Sequence, residues 1–132
     1  MKITADTNVL VRALTEDHVE QSKAAQIALS KADMVALTIP TLCELVWVLR
    51  RYGIRSDDIA ATLQGLLGGT NVVVNRPAAE AGLAMLQAGG DFADGTIAYE
   101  GTWLGADTFV SFDRKAVKLM QARGVSALLL SN

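Results

Sequence analysis

"ITADTNVLV", residues 3–11, opens as a short β-like run over 3–5, closes that run on an ionisable carboxylate, Asp6, and passes at once into a helical pattern over 7–14 that carries Val9, Leu10 and Val11. A strand ended by an acid and followed directly by a helix is a unit the chain reuses. A second helical pattern covers 18–32, with Val19, Ala24, Ile27 and Ala28 mostly on one side, and "MVALT" (34–38) is the next strand. Pro40 sits in the first turn of a helix that runs to about Tyr52 and stops near Gly53, where a proline is tolerated because its missing N–H has no helical partner anyway. Ser56 is placed to cap the following helix, with Asp57 and Asp58 favourable in its first turn, and that helix fades at Gly68-Gly69. "NVVV" (71–74), a helix over 77–88 ended by Gly89-Gly90, a helix over 91–104, "TFVSF" (108–112), a helix over 114–123 ended by Gly124, and "ALLL" (127–130) complete the chain. Strands alternating with helices predict a three-layer α/β fold: a central, mainly parallel sheet of about five strands covered by helices on both faces.

Composition sets the outer bounds. At 132 residues the expectation is a single domain, 1–132, long enough to bury a core without staples. Half of it is apolar (51%) and a fifth charged (20%), which excludes disorder. Cys43 is the only cysteine, so no internal disulfide forms, in keeping with a reducing cytoplasm. No apolar run approaches the ~18 residues of a membrane span, and the first residues lack a signal-peptide core, so a cytoplasmic protein without a membrane partner is expected. A net charge of −2 supplies no basic field, so a nucleic-acid partner would need local Lys/Arg or a bound cation.

In a parallel α/β sheet, ligand sites form beyond the carboxyl ends of the strands. Asp6 ends the first strand and Asp113 the fourth; Glu44 lies early in the helix after the second strand; Asp91 and Asp94 lie at the start of the helix before the fourth and, three apart, share a face. Each acid has a plain structural reading beside a functional one. Asp6, Asp91 and Asp113 are placed to N-cap helices, and an early acid at Asp94 suits a helix dipole. Glu44, inside "TIPTLCELVWVL", is the least cap-like and, flanked by Leu42, Cys43, Leu45 and Val46, is expected to need a partner or a cation. The set as a whole is harder to explain by capping than any member. Two carboxylates ~5 Å apart repel by roughly 3 kcal/mol at an effective dielectric of 20, so a cluster of them stays partly protonated unless a cation neutralises it. All-oxygen ligands select Mg²⁺, or Mn²⁺ in its place, over zinc. His18, the only histidine, reads as a solvated helix-start residue and Cys43 as a small buried hydrophobe, which leaves Ser–His–Asp or Cys–His catalysis little to stand on. Carboxylate-held metal points to phosphodiester hydrolysis.

"ITADTNVLVRAL", "PTLCELVWVL", "DFADGTIA" and "FVSFDRKAVKL" together resemble the four acidic segments of PIN-domain ribonucleases, in order and across essentially the whole chain, and most closely the VapC-type toxins of VapBC toxin–antitoxin modules. The resemblance implies a PIN-like fold and a quartet of Asp6, Glu44, Asp94 and Asp113 as catalytic and metal-binding residues, supported by Asp91, by Thr7 or Asn8 near the metal, and by Ser111, which keeps a hydroxyl two residues before the final acid. It further implies a cytoplasmic, Mg²⁺-dependent endoribonuclease that hydrolyses RNA with a metal-activated water, forms a homodimer, and is inhibited by a cognate VapB-type antitoxin. The chain departs from the family in carrying Gly95 where Ala is common after the third acid, which is expected to weaken that helix by up to ~1 kcal/mol, and in carrying Tyr99 and Glu100 where small residues are frequent.

Two features bear on the partners. Arg114, Lys115 and Lys118 follow Asp113 and are candidate phosphate contacts, as is the cluster Arg50, Arg51 and Arg55; both also read as solvated helix faces. Leu45, Val46, Trp47, Val48, Leu49 and Leu66 offer either a partner surface or completion of the core. Three other functions compete. A haloacid-dehalogenase-like phosphatase needs an acid two residues after its first Asp, where Asn8 stands; a response-regulator receiver needs an acid after the third strand, where Asn75 stands; and a catalytically inactive PIN scaffold that binds RNA or protein has no evident reason to keep so many repelling carboxylates.

Overall fold

The computed structural model describes residues 1–131 and confirms the alternation. Five strands, β1 (Lys2–Thr4), β2 (Met34–Leu37), β3 (Val72–Val74), β4 (Phe109–Ser111) and β5 (Ala127–Leu129), are interleaved with seven helices: α1 (Thr7–Leu14), α2 (Val19–Lys31), α3 (Ile39–Arg51), α4 (Ser56–Leu67), α5 (Arg76–Gln87), α6 (Phe92–Trp103) and α7 (Arg114–Ala122). Every pairing is parallel. β1, β2 and β3 form one sheet in that order, with Ile3 beside Val35 and Ala36 beside Val73, and β4 and β5 form a second, with Val110 beside Leu128. The chain divides into two compact units, Met1–Asn75 and the part from Arg76 onward, each holding one sheet. The element boundaries fall within about two residues of those the sequence predicts, because nearly every junction carries a cap, a proline or a glycine that the backbone obeys.

In the first unit, burial follows helical spacing. α3 buries Leu42, Leu45, Val46 and Leu49 and packs against α1, where Leu10 is buried, and α4, where Ile59 and Leu63 are buried. The face 100° away carries Glu44, which is exposed. This corrects the expectation that its apolar sequence neighbours oblige it to find a partner: on a helix, adjacent residues do not share a face. The same spacing divides the apolar run of α3 and α4. Leu45, Val46 and Leu49 complete the core, while Trp47 stays 60% exposed, its ring covered on one side by the Arg51 guanidinium 4.7 Å from the ring centre. At the start of α4 the cap position belongs to Arg55, which makes no side-chain cap bond, and Ser56 is the first helical residue, so the expected Ser56 cap does not form.

In the second unit, α5 and α6 make the most extensive helix contact of the chain, around Phe92, Met85 and Leu86. They approach so closely that a Cβ added at Gly82 would lie 2.6 Å from the Phe92 ring, and one at Gly95 would meet the backbone carbonyl of Ala81. Gly95 is thus a requirement of packing, where the sequence suggested only a weaker helix. Backbone cannot step aside as a flexible side chain can.

Candidate active site

Three of the acids do the same local work, Asp6 and Asp113 at strand-to-helix junctions and Asp91 between α5 and α6. Asp6 has an extended backbone and its Oδ1 accepts from the Val9 N–H at 3.0 Å, capping α1. Asp91 caps α6 through the Ala93 N–H at 3.3 Å, and Asp113 caps α7 through the Ala116 N–H at 3.1 Å. In each, one carboxylate oxygen is the cap acceptor, and the second is left for another partner. Ser111, the last residue of β4, holds its junction in place: its hydroxyl accepts from the Asp113 N–H at 2.9 Å.

Asp94 is different. It lies in the first turn of α6, half-buried, and makes no hydrogen bond or ion pair with any other described residue. Its carboxyl pKa is raised, first by burial and then by the negative charges of Asp91 and Asp113. The second unit thus brings three carboxylates into one electrostatic neighbourhood and leaves the middle one without compensation, an arrangement that disfavours its own ionised state. Among the described residues no three His, Cys, Asp or Glu side chains stand so placed that together they could hold a metal ion. The donors nonetheless suit a hard divalent cation: they are all carboxylate oxygens, and a positive charge near Asp94 would offset the repulsion that raises its pKa.

The first unit holds the other two members of the expected quartet. β1 and β2 are neighbours and parallel, so Asp6, just past β1, and Thr38, the cap of α3 just past β2, leave the sheet at the same edge. Glu44 lies on α3 beyond Thr38 by about 9 Å of helix rise, exposed, and its side chain makes no salt bridge or hydrogen bond to any described residue. Thr7 and Asn8 begin α1; Thr7 is half-buried and Asn8 exposed. His18 is the solvated helix start that its position suggests, its Nδ1 accepting from the Gln21 N–H at 3.2 Å.

The cations are arranged unevenly. Arg114 and Lys115 occupy the first turn of α7, directly after Asp113, and Lys118 follows one turn on; all three are exposed. Positive side chains in the first turn of a helix oppose its dipole at a typical cost of about 0.3–1 kcal/mol each, so Arg114 and Lys115 gain no helix stability from their place on α7. Arg50 and Arg55 line an open pocket of about 460 Å³ at the start of α4. A polar centre that the sequence did not disclose lies between α1 and α2. There Asp17 accepts from Arg12 Nη1 at 3.2 Å, Thr15 Oγ1 at 2.9 Å and the Tyr52 hydroxyl at 3.1 Å, and these donors, Thr15 foremost, hold its carboxyl pKa below the ordinary value. Only the spacing of Asn8 and Arg12, four apart on one helix, hinted that Arg12 shares a face with the start of α1.

Residues 3–121, spanning parts of both units, match the family described as the PIN domain. Comparison with curated proteins gave no match.

Proposed function

The chain belongs to the PIN-domain family, and from that premise we propose that it is a Mg²⁺-dependent endoribonuclease acting as the toxin of a VapBC-type toxin–antitoxin pair. The observation that carries the nuclease reading is Asp94: a half-buried, unpartnered carboxylate, its pKa raised by two neighbouring acids, is what a cation-dependent phosphodiesterase needs and what a simple scaffold would lose. In the second unit Asp94 and Asp113 are the candidate metal ligands, with Asp91 in support, and in the first unit Asp6 and Glu44 are the candidate acids. When bound, a divalent cation supplies Lewis-acid stabilisation of the phosphoryl oxygens and lowers the pKa of water.

The chain's own residues supply the rest. The cap bonds fix one oxygen of Asp6 and of Asp113 and thereby orient the other, which keeps the donors placed before substrate arrives. Ser111 fixes the backbone on which Asp113 turns. Glu44, exposed and uncommitted, is available to accept a proton at its carboxylate. Arg114, Lys115 and Lys118 offset phosphate charge, the use their unfavourable place on α7 suggests.

A second reading, a PIN scaffold that binds without cutting, is favoured by one observation: Asp6, Asp91 and Asp113 are each already explained as helix caps. For the partner, exposed Trp47 on α3 is the apolar anchor we assign to the antitoxin. The toxin reading is tested by expressing the chain alone in bacteria and again beside the product of its neighbouring gene. Growth arrest relieved by co-expression, with RNA cleavage in extracts that EDTA abolishes, is the expected result. A harmless chain that retains no small partner would defeat the toxin assignment, and cleavage insensitive to EDTA would defeat the metal.

A further inference from the structure

The first unit carries an open cleft of about 570 Å³ between α1 and α2, within the ~300–1,000 Å³ range of small-ligand sites. Asp6, the cap of α1, lines it with Asn8 and Arg12 of α1, and Gln21, Ala24 and Ala28 line it from α2. Asn8 and Arg12 are one turn apart, as are Ala24 and Ala28, so each pair presents one face, and the two alanines leave the α2 wall without bulk. The Asn8 and Gln21 side-chain amides bond to no other described residue, and each offers two donors and an acceptor. Arg12 is held on the wall by Asp17, which Thr15 and Tyr52 secure in turn. That bond uses one of the five N–H donors of the guanidinium.

We propose that this cleft binds one nucleotide of the RNA, flanking the phosphate handled at Asp6, with Arg12 on its phosphate and Asn8 and Gln21 on the edge of its base. The proposal rests on the nuclease reading for the identity of the polymer and deepens it by assigning a specificity site. Three features favour a nucleotide over a peptide helix. The cleft opens directly onto a carboxylate of the proposed reaction, its other polar groups are a guanidinium and two neutral amides, and its apolar wall is built of small side chains, three alanines and Val9, whereas a helix groove needs pockets for large anchors.

The test uses the full chain, ¹⁵N-labelled, titrated by NMR with AMP, CMP, GMP and UMP in the presence of Mg²⁺. The expected result is movement of the Asn8 and Gln21 side-chain amide resonances by at least one nucleotide, abolished by Ala24→Leu, which fills the cleft from an exposed position, and weakened about tenfold by Gln21→Ala, the ratio that ~1.4 kcal/mol represents. Thermal melts check that both variants fold. In cleavage, the two variants should raise KM and alter the preferred flanking nucleotide at nearly unchanged kcat. If no nucleotide moves either amide, the proposal is overturned, even where RNA is cut. If the amides respond but no RNA is cut under any divalent metal, the cleft stands as a nucleotide site and the nuclease reading falls.

Discussion

Asp94 shows how a single side chain divides the two readings of its neighbourhood. Its pKa is raised in the folded protein by burial and by Asp91 and Asp113, so the folded state binds a proton there more readily than the unfolded chain does. The ionised form therefore lowers stability at pH above the folded pKa, and the penalty fades as pH falls through it. Asp94→Asn should raise the Tm of the metal-free protein by a few degrees at pH 7 and by progressively less towards pH 4, as followed by circular dichroism. A melt that loses several degrees at pH 7 would mean that the carboxylate is held by partners the fold needs. This residue was legible in the sequence, since "FADGTIA" sets an acid among apolar neighbours. Glu44 looked alike by the same reasoning, yet α3 exposes it while burying Leu45 and Val46. Linear neighbours mislead wherever a helix rotates them apart. Arg12 and Asp17 gave almost no sign, because Tyr52, which completes their network, lies far along the chain.

For the elements, the caps and the close helix contact make separate claims. Asp6→Asn and Asp113→Asn preserve an acceptor at the cap, and Asn caps about as well as Asp, so each should cost under ~0.5 kcal/mol in urea unfolding, against ~1 kcal/mol for the alanine variants. Equal costs for Asn and Ala would show that the cap bonds contribute nothing. Gly95→Ala is expected to go the opposite way from helix propensity. The added methyl gains up to ~1 kcal/mol intrinsically but meets the Ala81 backbone, and overpacking typically costs 1–3 kcal/mol. Net destabilisation by ~1 kcal/mol or more is predicted, while a variant more stable than the parent would show that α5 and α6 can part. Most element boundaries were readable from caps and glycines. The packing need at Gly95 was not, since it arises from Ala81 and Gly82 on another helix.

For the whole molecule, the alternating strands and helices announced a parallel α/β fold. The arrangement of five strands as β1-β2-β3 and β4-β5 was not announced, because strand pairing is decided by contacts distant in sequence. The cleft between α1 and α2 was hidden for the same reason. The four acidic segments were visible because each is local in sequence, whereas the metal of the proposed function would bind the folded chain alone. Mg²⁺ or Mn²⁺ should therefore raise the Tm, since binding only to the folded state adds stability by mass action. The increment should shrink as pH falls through the raised pKa of Asp94, whose protonated form is a poor ligand. A Tm indifferent to millimolar Mg²⁺ at pH 7.5 would count against the metal. The most direct measurement is single-turnover cleavage of a sensitive RNA by the parent, Asp94→Asn and Asp113→Asn, with and without Mg²⁺. The parent should cut only with the metal, and both variants, folded and still capped, should be slower by ~10²-fold or more. Parental rates in both would contradict an acidic catalytic site and leave Asp113 as a helix cap and Asp94 as an acid in the first turn of α6.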